Sequence, residues 1–302
     1  MPAKHIKWIY LILLSIIWGS SFILIKKGLI GLSPLQLGSL RIIFASLFLI
    51  ITGFKSILKI KSPQWKLVIL TAFLGSFFPV YLFAFAETEI DSAIASILNA
   101  TTPIMTLIFG GLFFRMLFTQ NKILGVIIGL AGTLGLIFTG ASVNPDQDYL
   151  YSFLVIMAAV CYALNVNIIK RYLQDISALS LAAGNFLVLL FPAVAVLFYT
   201  GFNWGAVVED PGLSSSLIYV LILGVIGTGI ALVIFNKLIQ ISDPVFSSSV
   251  TYTIPIIGLA WGVLDGEVFT WLQMLSTLII LMGVVIVNRS KSFYSKTEKP
   301  TV

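Results

Sequence analysis

The chain has 302 residues, of which 59% are hydrophobic and only 10% are charged. Because soluble domains carry about 25% charged residues, the apolar excess excludes an ordinary soluble protein and predicts one embedded in lipid. The net charge of +6 does not indicate a nucleic-acid partner, since the basic residues fall in short gaps between apolar runs. A single cysteine, Cys161, and a single histidine, His5, exclude an intramolecular disulfide and a His/Cys metal site, and no cofactor is expected.

Long apolar runs dominate the chain from end to end. A membrane-spanning helix needs roughly 20 mostly apolar residues, and ten runs of that kind follow one another with short connections. The sequence therefore predicts an all-α integral membrane protein with ten transmembrane helices. In chain order the predicted spans are 6–25, 34–54, 67–86, 92–114, 122–139, 150–170, 177–200, 214–237, 244–264 and 270–288.

The connections between these runs indicate an orientation. If the N-terminus is cytoplasmic, Lys26 and Lys27 are the basic residues of the outer connections, and the other loop and tail Lys and Arg residues face the cytoplasm. Acidic residues mostly fall on the outer side, with Glu87 and Glu209 among them. The positive-inside rule then predicts both termini in the cytoplasm of a multi-pass protein of the inner (plasma) membrane.

The two halves of the chain show a weak internal repeat. An offset of 144 residues pairs Trp18 with Tyr162 and Lys26 with Lys170. An offset of 152 residues pairs the Thr101–Pro103 region with 253–255. Because each unit would contain an odd number of spans, the second unit is predicted to be inverted, a device for alternating access around a shared site. The predicted units are residues 1–141 and 142–289, followed by a cytoplasmic tail, 290–302.

Several short motifs, in order, resemble the drug/metabolite transporter superfamily and its ten-helix EamA-type branch. They are Trp18-Gly19-Ser20-Ser21-Phe22, Ser33-Pro34 ahead of Arg41, and Thr101-Thr102-Pro103-Ile104. The resemblance implies a polytopic transporter, most often an exporter of amino acids or related metabolites, with a central cavity. It also implies a Glu before the Thr that opens the last helix of each half. Glu267 keeps that residue, whereas Met116 stands at the corresponding place in the first half.

Polar and aromatic side chains that interrupt the apolar runs are candidate cavity residues. Such groups mark either packing contacts or a water-filled path, because an unpartnered polar group in hydrocarbon is costly. Prolines accompany hydroxyls in the fourth and ninth spans, which favours a cavity between bent helices. The predicted substrate-binding residues are Trp18, Ser21, Tyr81, Asn99, Thr102, Tyr162, Asn165, Thr228, Ser248 and Tyr252.

Four charged residues are candidates for gating or for pairing with substrate: Lys26, Arg41, Lys170 and Glu267. Arg41 lies within a span, where it could attract a carboxylate or pair with an acid such as Glu87. Lys26 and Lys170 end their helices, where a basic residue also suits the helix dipole. No Asp or Glu falls at mid-membrane, which argues against a simple buried-carboxylate proton relay.

These observations favour a secondary transporter that exports small metabolites such as amino acids by alternating access. The alternative within transport is an organophosphate or nucleotide-sugar exchanger, which would need at least two basic residues facing the cavity. A membrane-embedded enzyme predicts a catalytic cluster, and a scaffold or receptor predicts large loops; the sequence has neither. The expected partners are a small-molecule substrate and the lipid bilayer, and the fifth-span ladder Gly125, Gly129, Gly132 and Gly135 indicates helix packing, within the protein or in a homodimer.

Overall fold

The structure, a computed structural model, describes residues 3–115, 119–143, 147–242 and 244–289. Throughout these ranges the ordered elements are helices, and none of the residues forms a strand. The α-helices are α1 (Ala3–Gly28), α2 (Pro34–Ile57), α3 (Trp65–Ala72), α4 (Phe78–Ala86), α5 (Ser92–Asn99), α6 (Thr102–Phe114), α7 (Gln120–Val143), α8 (Ser152–Tyr172), α9 (Ala178–Tyr199), α10 (Ala206–Glu209), α11 (Pro211–Ile222), α12 (Ala231–Ile241), α13 (Pro244–Ser248), α14 (Ile254–Leu264) and α15 (Trp271–Arg289). The predicted all-helical fold is confirmed.

Seven continuous helical stretches within the described residues are long and apolar enough to cross a membrane. They are Ile6–Gly28, Pro34–Ile57, Ser62–Ala86, Ser92–Phe114, Tyr149–Tyr172, Ala178–Tyr199 and Pro211–Ile241. The remaining three predicted spans coincide with shorter apolar helices, Ile123–Thr139, Ile254–Leu264 and Trp271–Gly283. Large apolar side chains cover the outer surface, where Ile51 is 79% and Phe198 is 88% exposed. Such a surface matches lipid rather than water.

Local sequence sets the helix starts. Ser33 accepts a hydrogen bond from the backbone N–H of Gln36 through its hydroxyl (3.3 Å), and the Gln36 side chain accepts one from the N–H of Ser33 (3.0 Å). Pro34 at the first position has no N–H to leave unpaired, so this capping box begins α2. Ser177, which is 144 residues further on, caps α9 in the same way through the N–H of Ser180 (3.1 Å).

Two of the long stretches contain wide π-helical turns, at Phe73–Phe77 and at Leu223–Ile230. The helical path is interrupted at two other places: α5 ends at Asn99 before α6, and a short 3-10 segment, Ser249–Tyr252, separates α13 from α14. Pro103 and Pro255 lie in the first turn after each interruption, where a missing N–H costs least. Wide turns and breaks change the backbone hydrogen-bonding pattern. Each of the four includes or adjoins a buried residue: Ser76, Asn99, Gly227 and Val250.

The glycine ladder packs within the protein, against α15. An added Cβ at Gly132 would lie 2.7 Å from the backbone nitrogen of Ile280, and one at Gly283 would lie 2.7 Å from the Cα of Gly129. Only glycine permits this approach of α7 and α15, so the predicted packing role is confirmed. Met116, Asp243 and the predicted tail 290–302 lie outside the described residues.

Candidate functional site

A cavity lies at the centre of the helices, where the two π-helical turns and the two interruptions meet. Its empty volume, which includes open solvent, is about 850 Å³. The walls combine aromatic and aliphatic side chains with neutral hydrogen-bonding groups. The lining residues are Trp18, Ser21, Phe22, Ile25, Arg41, Gly75, Ser76, Val80, Phe83, Asn99, Thr102, Tyr162, Asn165, Val166, Gly227, Thr228, Leu232, Phe235, Ser248, Thr251 and Ile254.

Most of the predicted substrate-binding residues lie together on this wall. Those brought together are Trp18, Ser21, Asn99, Thr102, Tyr162, Asn165, Thr228 and Ser248. Tyr81 is elsewhere: its hydroxyl hydrogen-bonds with that of Ser39 (2.9 Å), and its ring packs on Phe77. For Tyr252 the structure describes the backbone, within the 3-10 segment, and the position of its side chain is outside the description. Contact of any of these residues with substrate stays a prediction.

The side chain of Trp18 is held by a hydrogen bond from its indole nitrogen and by an aromatic contact of its ring. The indole Nε1 donates a hydrogen bond to the carbonyl of Gly227 (2.9 Å), which lies in the second π-helical turn. The ring meets Phe235 edge to face, with ring centroids 4.8 Å apart and an interplanar angle of 67°. The hydrogen bond to Gly227 satisfies the donor of the partly buried tryptophan. Trp18 therefore presents a fixed aromatic surface to the cavity.

Arg41 supplies the positive charge of the cavity wall. The residue is 8% exposed, and its Nε donates a hydrogen bond to the Thr228 hydroxyl (2.8 Å). Thr228 in turn donates to the carbonyl of Leu223 (3.0 Å) in the π-helical turn. Among the described residues, no carboxylate oxygen lies within the 4.0 Å of an ion pair with Arg41. A buried guanidinium without a carboxylate partner favours an anionic group in the cavity.

Asn165 adds an unused acceptor. The residue is 2% exposed, and its amide oxygen has no hydrogen-bond partner in the described ranges of the chain. It packs on Gly75 of the first π-helical turn, where an added Cβ would lie 2.7 Å from the Asn165 amide nitrogen. Gly75 is a cavity-lining residue that the sequence prediction did not include; its match with Gly227 at the 152-residue offset was the available signal.

The predicted gating residues Lys26 and Glu267 contact one another at one end of the bundle. Lys26 Nζ lies 2.8 Å from Glu267 Oε1 and 2.9 Å from Asp265 Oδ2, and Lys27 also pairs with Asp265. Glu267 further accepts hydrogen bonds from the Ser92 hydroxyl (2.7 Å) and from the backbone N–H of Ser92 (3.2 Å) and of Ala93 (3.1 Å). We call Lys26, Lys27, Ser92, Asp265 and Glu267 the Lys26 cluster.

The Lys26 cluster joins distant parts of the chain. Glu267 caps the first turn of α5, a task that the preceding Asp91 side chain does not perform. Its carboxylate is 4% exposed, so the cap and the ion pair are largely shielded from water. Hydrogen bonds from Lys27 and Lys26 hold the pKa of the Asp265 carboxyl below its usual value. The cluster thus ties α1 and α5 to the segment between α14 and α15.

Lys170 acts at the end of a different helix. Its Nζ donates to the backbone carbonyls of Ser242 (2.6 Å) and Ile239 (3.2 Å), where α12 ends. Carbonyls at a helix C-terminus attract a cation through the helix dipole. Lys26 and Lys170 therefore both lie in the last turn of their own helices, α1 and α8. Lys26 contacts carboxylates, whereas Lys170 contacts backbone carbonyls.

Glu87 is a buried acid that the sequence analysis placed in an outer loop. It follows α4 directly and is 7% exposed, and neither carboxylate oxygen has a hydrogen-bond partner within the part of the chain that the structure describes. Burial raises the pKa of this carboxyl well above its usual range, and the negative charge of Glu267 adds to the shift. The predicted pairing of Arg41 with Glu87 is long-range rather than a contact. Sequence pattern gives no signal for its burial, because Glu87 lies in the short polar segment between two helices.

Comparison with known proteins agrees with these features. The model of the EamA-like transporter family matches residues 6–138 and again residues 150–289. An "uncharacterized transporter" of Archaeoglobus fulgidus is 26% identical over 288 residues, covering 94% of this chain and 99% of the relative. The "uncharacterized inner membrane transporter YedA" of Escherichia coli is 25% identical, covering 96% and 92% of the two chains.

A third relative carries a more specific name. The "probable amino-acid metabolite efflux pump" of Salmonella typhimurium is 24% identical over 289 residues, covering 91% of this chain and 92% of that protein. A solved crystal structure with 17% identity superposes with a TM-score of 0.63 over 94% of this chain and 96% of the other, a likeness in fold. Family and relatives alike point to a transporter rather than an enzyme. This multi-pass membrane protein belongs to the EamA-like transporter family.

Proposed function

We propose that this transporter exports small zwitterionic metabolites, amino acids or related compounds, from the cytoplasm across the inner membrane by alternating access. The observation that carries the proposal is the buried guanidinium of Arg41, which faces a cavity of neutral and aromatic groups without a carboxylate contact. A substrate carboxylate would provide the missing negative charge. The name of the Salmonella relative supports the same class of substrate.

The remaining walls suit the rest of such a molecule. Asn165 on the same wall carries a neutral amide that can hydrogen-bond with a polar group of the substrate. Trp18, Phe83 and Tyr162 offer apolar surface to a side chain. A carrier needs contacts that are sufficient for binding and few enough for release, and one charged contact with a small number of neutral ones meets that requirement. An exchanger of phosphorylated compounds is less favoured, since Arg41 is the basic residue among the described lining residues.

The proposed architecture has ten transmembrane helices in two inverted five-helix repeats, residues 1–141 and 142–289. Corresponding irregularities support it. Gly75 and Gly227, which the 152-residue offset pairs, both lie in π-helical turns. The paired Pro103 and Pro255 both follow interruptions. The family model also matches twice, once on either side of residues 139–149.

The proposed orientation places both termini in the cytoplasm and the Lys26 cluster on the outer side. The cluster then closes the outer end, because ion pairs from α1 and hydrogen bonds from α5, both in the first repeat, hold these helices to the 265–267 segment of the second. Opening that end requires these contacts to separate, which alternating access provides through movement of the two repeats. In the proposed transport cycle, the conformation of this structure is accordingly the one closed on the outer side.

Counterflow into proteoliposomes tests the proposal. Purified protein is reconstituted, loaded with unlabelled amino acid and supplied with labelled compounds from a panel that includes phosphorylated metabolites. We expect uptake of zwitterionic compounds, and we expect Arg41→Gln to raise KM by about 10- to 100-fold, the effect of losing a charged hydrogen bond of about 1.5–3 kcal/mol.

Arg171→Gln is the matched control, because Arg171 is an exposed arginine at the end of α8. It should leave KM unchanged, and thermal unfolding in detergent should confirm that Arg41→Gln remains folded. Exchange restricted to phosphorylated compounds, or an unchanged KM in Arg41→Gln, would contradict the proposal.

A further inference from the structure

The carboxyl of Glu87 is a buried titratable group that the proposed function does not use. It closes the C-terminal end of α4, and its backbone N–H continues the helix by donating to the carbonyl of Phe83 (3.0 Å). The side chain is buried, and both oxygens lack hydrogen-bond partners among the described residues. An ionised carboxylate in such a place would have lost its hydration and gained no donor in return.

Neighbouring charges do not provide a contact for Glu87. Glu267 repels a second negative charge, whereas Lys26 and Arg41 attract it. Lys26 is already paired with Asp265 and Glu267, and Arg41 donates its Nε to Thr228. The two lysines of the Lys26 cluster are already balanced by its two carboxylates, so Glu87 is an additional acid beside it.

The titratable groups of the surrounding elements are few. The helices packed against α4 are α8 and α2, which contribute Tyr162 and Arg41. Lys26 comes from α1, and Glu267 from the segment before α15. The polar segment that follows Glu87 carries two further acids, Glu89 and Asp91. Burial also raises the pKa of the Asp91 carboxyl, so this end of the molecule disfavours additional negative charge.

We propose that Glu87 is a proton-binding site linked to the outer end of the transporter: its carboxylate takes up a proton as the Lys26 cluster closes over it and releases that proton when the cluster opens. The step is a simple protonation, in which one proton from the outer solution adds to a carboxylate oxygen. The proposal rests on the proposed function for its outer side and its opening movement. A proton-dependent step would then take place at the end of a span, although no Asp or Glu falls at mid-membrane.

The direction of the pH dependence follows from the two states. In the open state water reaches Glu87, and the pKa of its carboxyl is near the ordinary value of about 4.3. In the closed state burial raises that pKa. Protonation of Glu87 therefore stabilises the closed state fully when the pH is below the ordinary pKa. This stabilisation is lost as the pH rises through the raised pKa of the closed state. An acidic outer solution should keep the outer end closed.

Thiol labelling measures this equilibrium without requiring transport. A cysteine at Ser21, which lines the cavity, is introduced in a Cys161→Ser background and labelled from outside with an impermeant reagent. Between the two pKa values, the labelling rate should rise by up to about tenfold per pH unit, as the release of one proton requires. Glu87→Gln should label slowly and independently of pH, because an amide mimics the protonated acid.

Glu89→Gln is the matched control, since Glu89 follows in the same polar segment and is more exposed. It should keep the pH dependence of the parent protein. Glu87→Asp retains a carboxyl and should keep the dependence with a shifted midpoint, which guards against misfolding of the glutamine variant. Infrared spectra of the reconstituted protein should show the C=O stretch of a neutral carboxylic acid that Glu87→Gln loses.

The outcomes separate this proposal from the proposed function. Unchanged pH dependence in Glu87→Gln, or an unchanged carboxylic-acid band, would overturn the proton site even if counterflow succeeded. Failure of counterflow for every zwitterionic compound would overturn the proposed substrate and leave the labelling and infrared results to decide about Glu87.

Discussion

Replacing Glu267 by alanine should open the outer end of the transporter. The substitution removes a 4% exposed carboxylate that accepts four hydrogen bonds, two of them from backbone N–H groups at the start of α5. Leaving two buried N–H donors unpaired costs about 1 kcal/mol each. The ion pair adds about 1 kcal/mol and no more, because the Lys26 side chain is 33% exposed and keeps its contact with Asp265.

These contributions amount to about 3 kcal/mol, or roughly a hundredfold shift in the equilibrium between the closed and open states. The open state does not lose the same energy, since water replaces the carboxylate there. Labelling of a cysteine at Ser21 from outside should therefore accelerate on the order of a hundredfold at fixed pH. Glu89→Ala, on the same side of the molecule, should leave the rate unchanged.

A double-mutant cycle with Lys26→Met should give a coupling energy of about 1 kcal/mol between Lys26 and Glu267. A change of less than about threefold in Glu267→Ala, with unfolding temperature and protein yield preserved, would refute the assignment of the Lys26 cluster as a closure.

Two further predictions concern glycines. Gly132→Ala should destabilise the protein by about 1–3 kcal/mol in thermal or detergent unfolding, because its Cβ would meet the backbone of Ile280 at 2.7 Å. Gly135→Ala should destabilise the protein less, because the nearest atom to its Cβ is a rotatable side-chain hydroxyl oxygen. Equal losses of stability in the two variants would contradict the explanation. Gly75→Ala should raise KM in counterflow several-fold by displacing the Asn165 amide, with little change in unfolding temperature, and an unchanged KM would separate that amide from substrate binding.

Local signals in the sequence account for much of the observed fold. The predicted second span begins at residue 34, where α2 begins, and the structure shows that Ser33 caps this helix. Trp18, Asn99 and Asn165 stood out because polar or broad aromatic groups are rarely needed in an apolar run, and the cavity brings them together. Periodicity and composition suffice for such features because both act over one or two helical turns.

Other features depend on contacts between distant segments. Tyr81 follows the π-helical turn Phe73–Phe77, and an i→i+5 turn shifts the face of every later residue, so its direction could not be read from α-helical spacing. Glu87 was placed in an exposed loop because burial at a helix end is decided by neighbouring helices. Glu267 caps a helix 175 residues away in the chain, a contact that spacing within a motif cannot predict.

The uninterrupted course of α1 has a pharmacological consequence. The helix carries Trp18 on the cavity wall and Lys26 in the Lys26 cluster, about 12 Å apart along the axis at 1.5 Å per residue. Because α1 lacks the wide turns of its neighbours, a displacement at Trp18 is passed on to Lys26 as a tilt of one rigid rod. A bulky compound that enters from the cytoplasm and wedges against Trp18 should therefore hold the distant ion pairs apart, and inhibit transport without touching them.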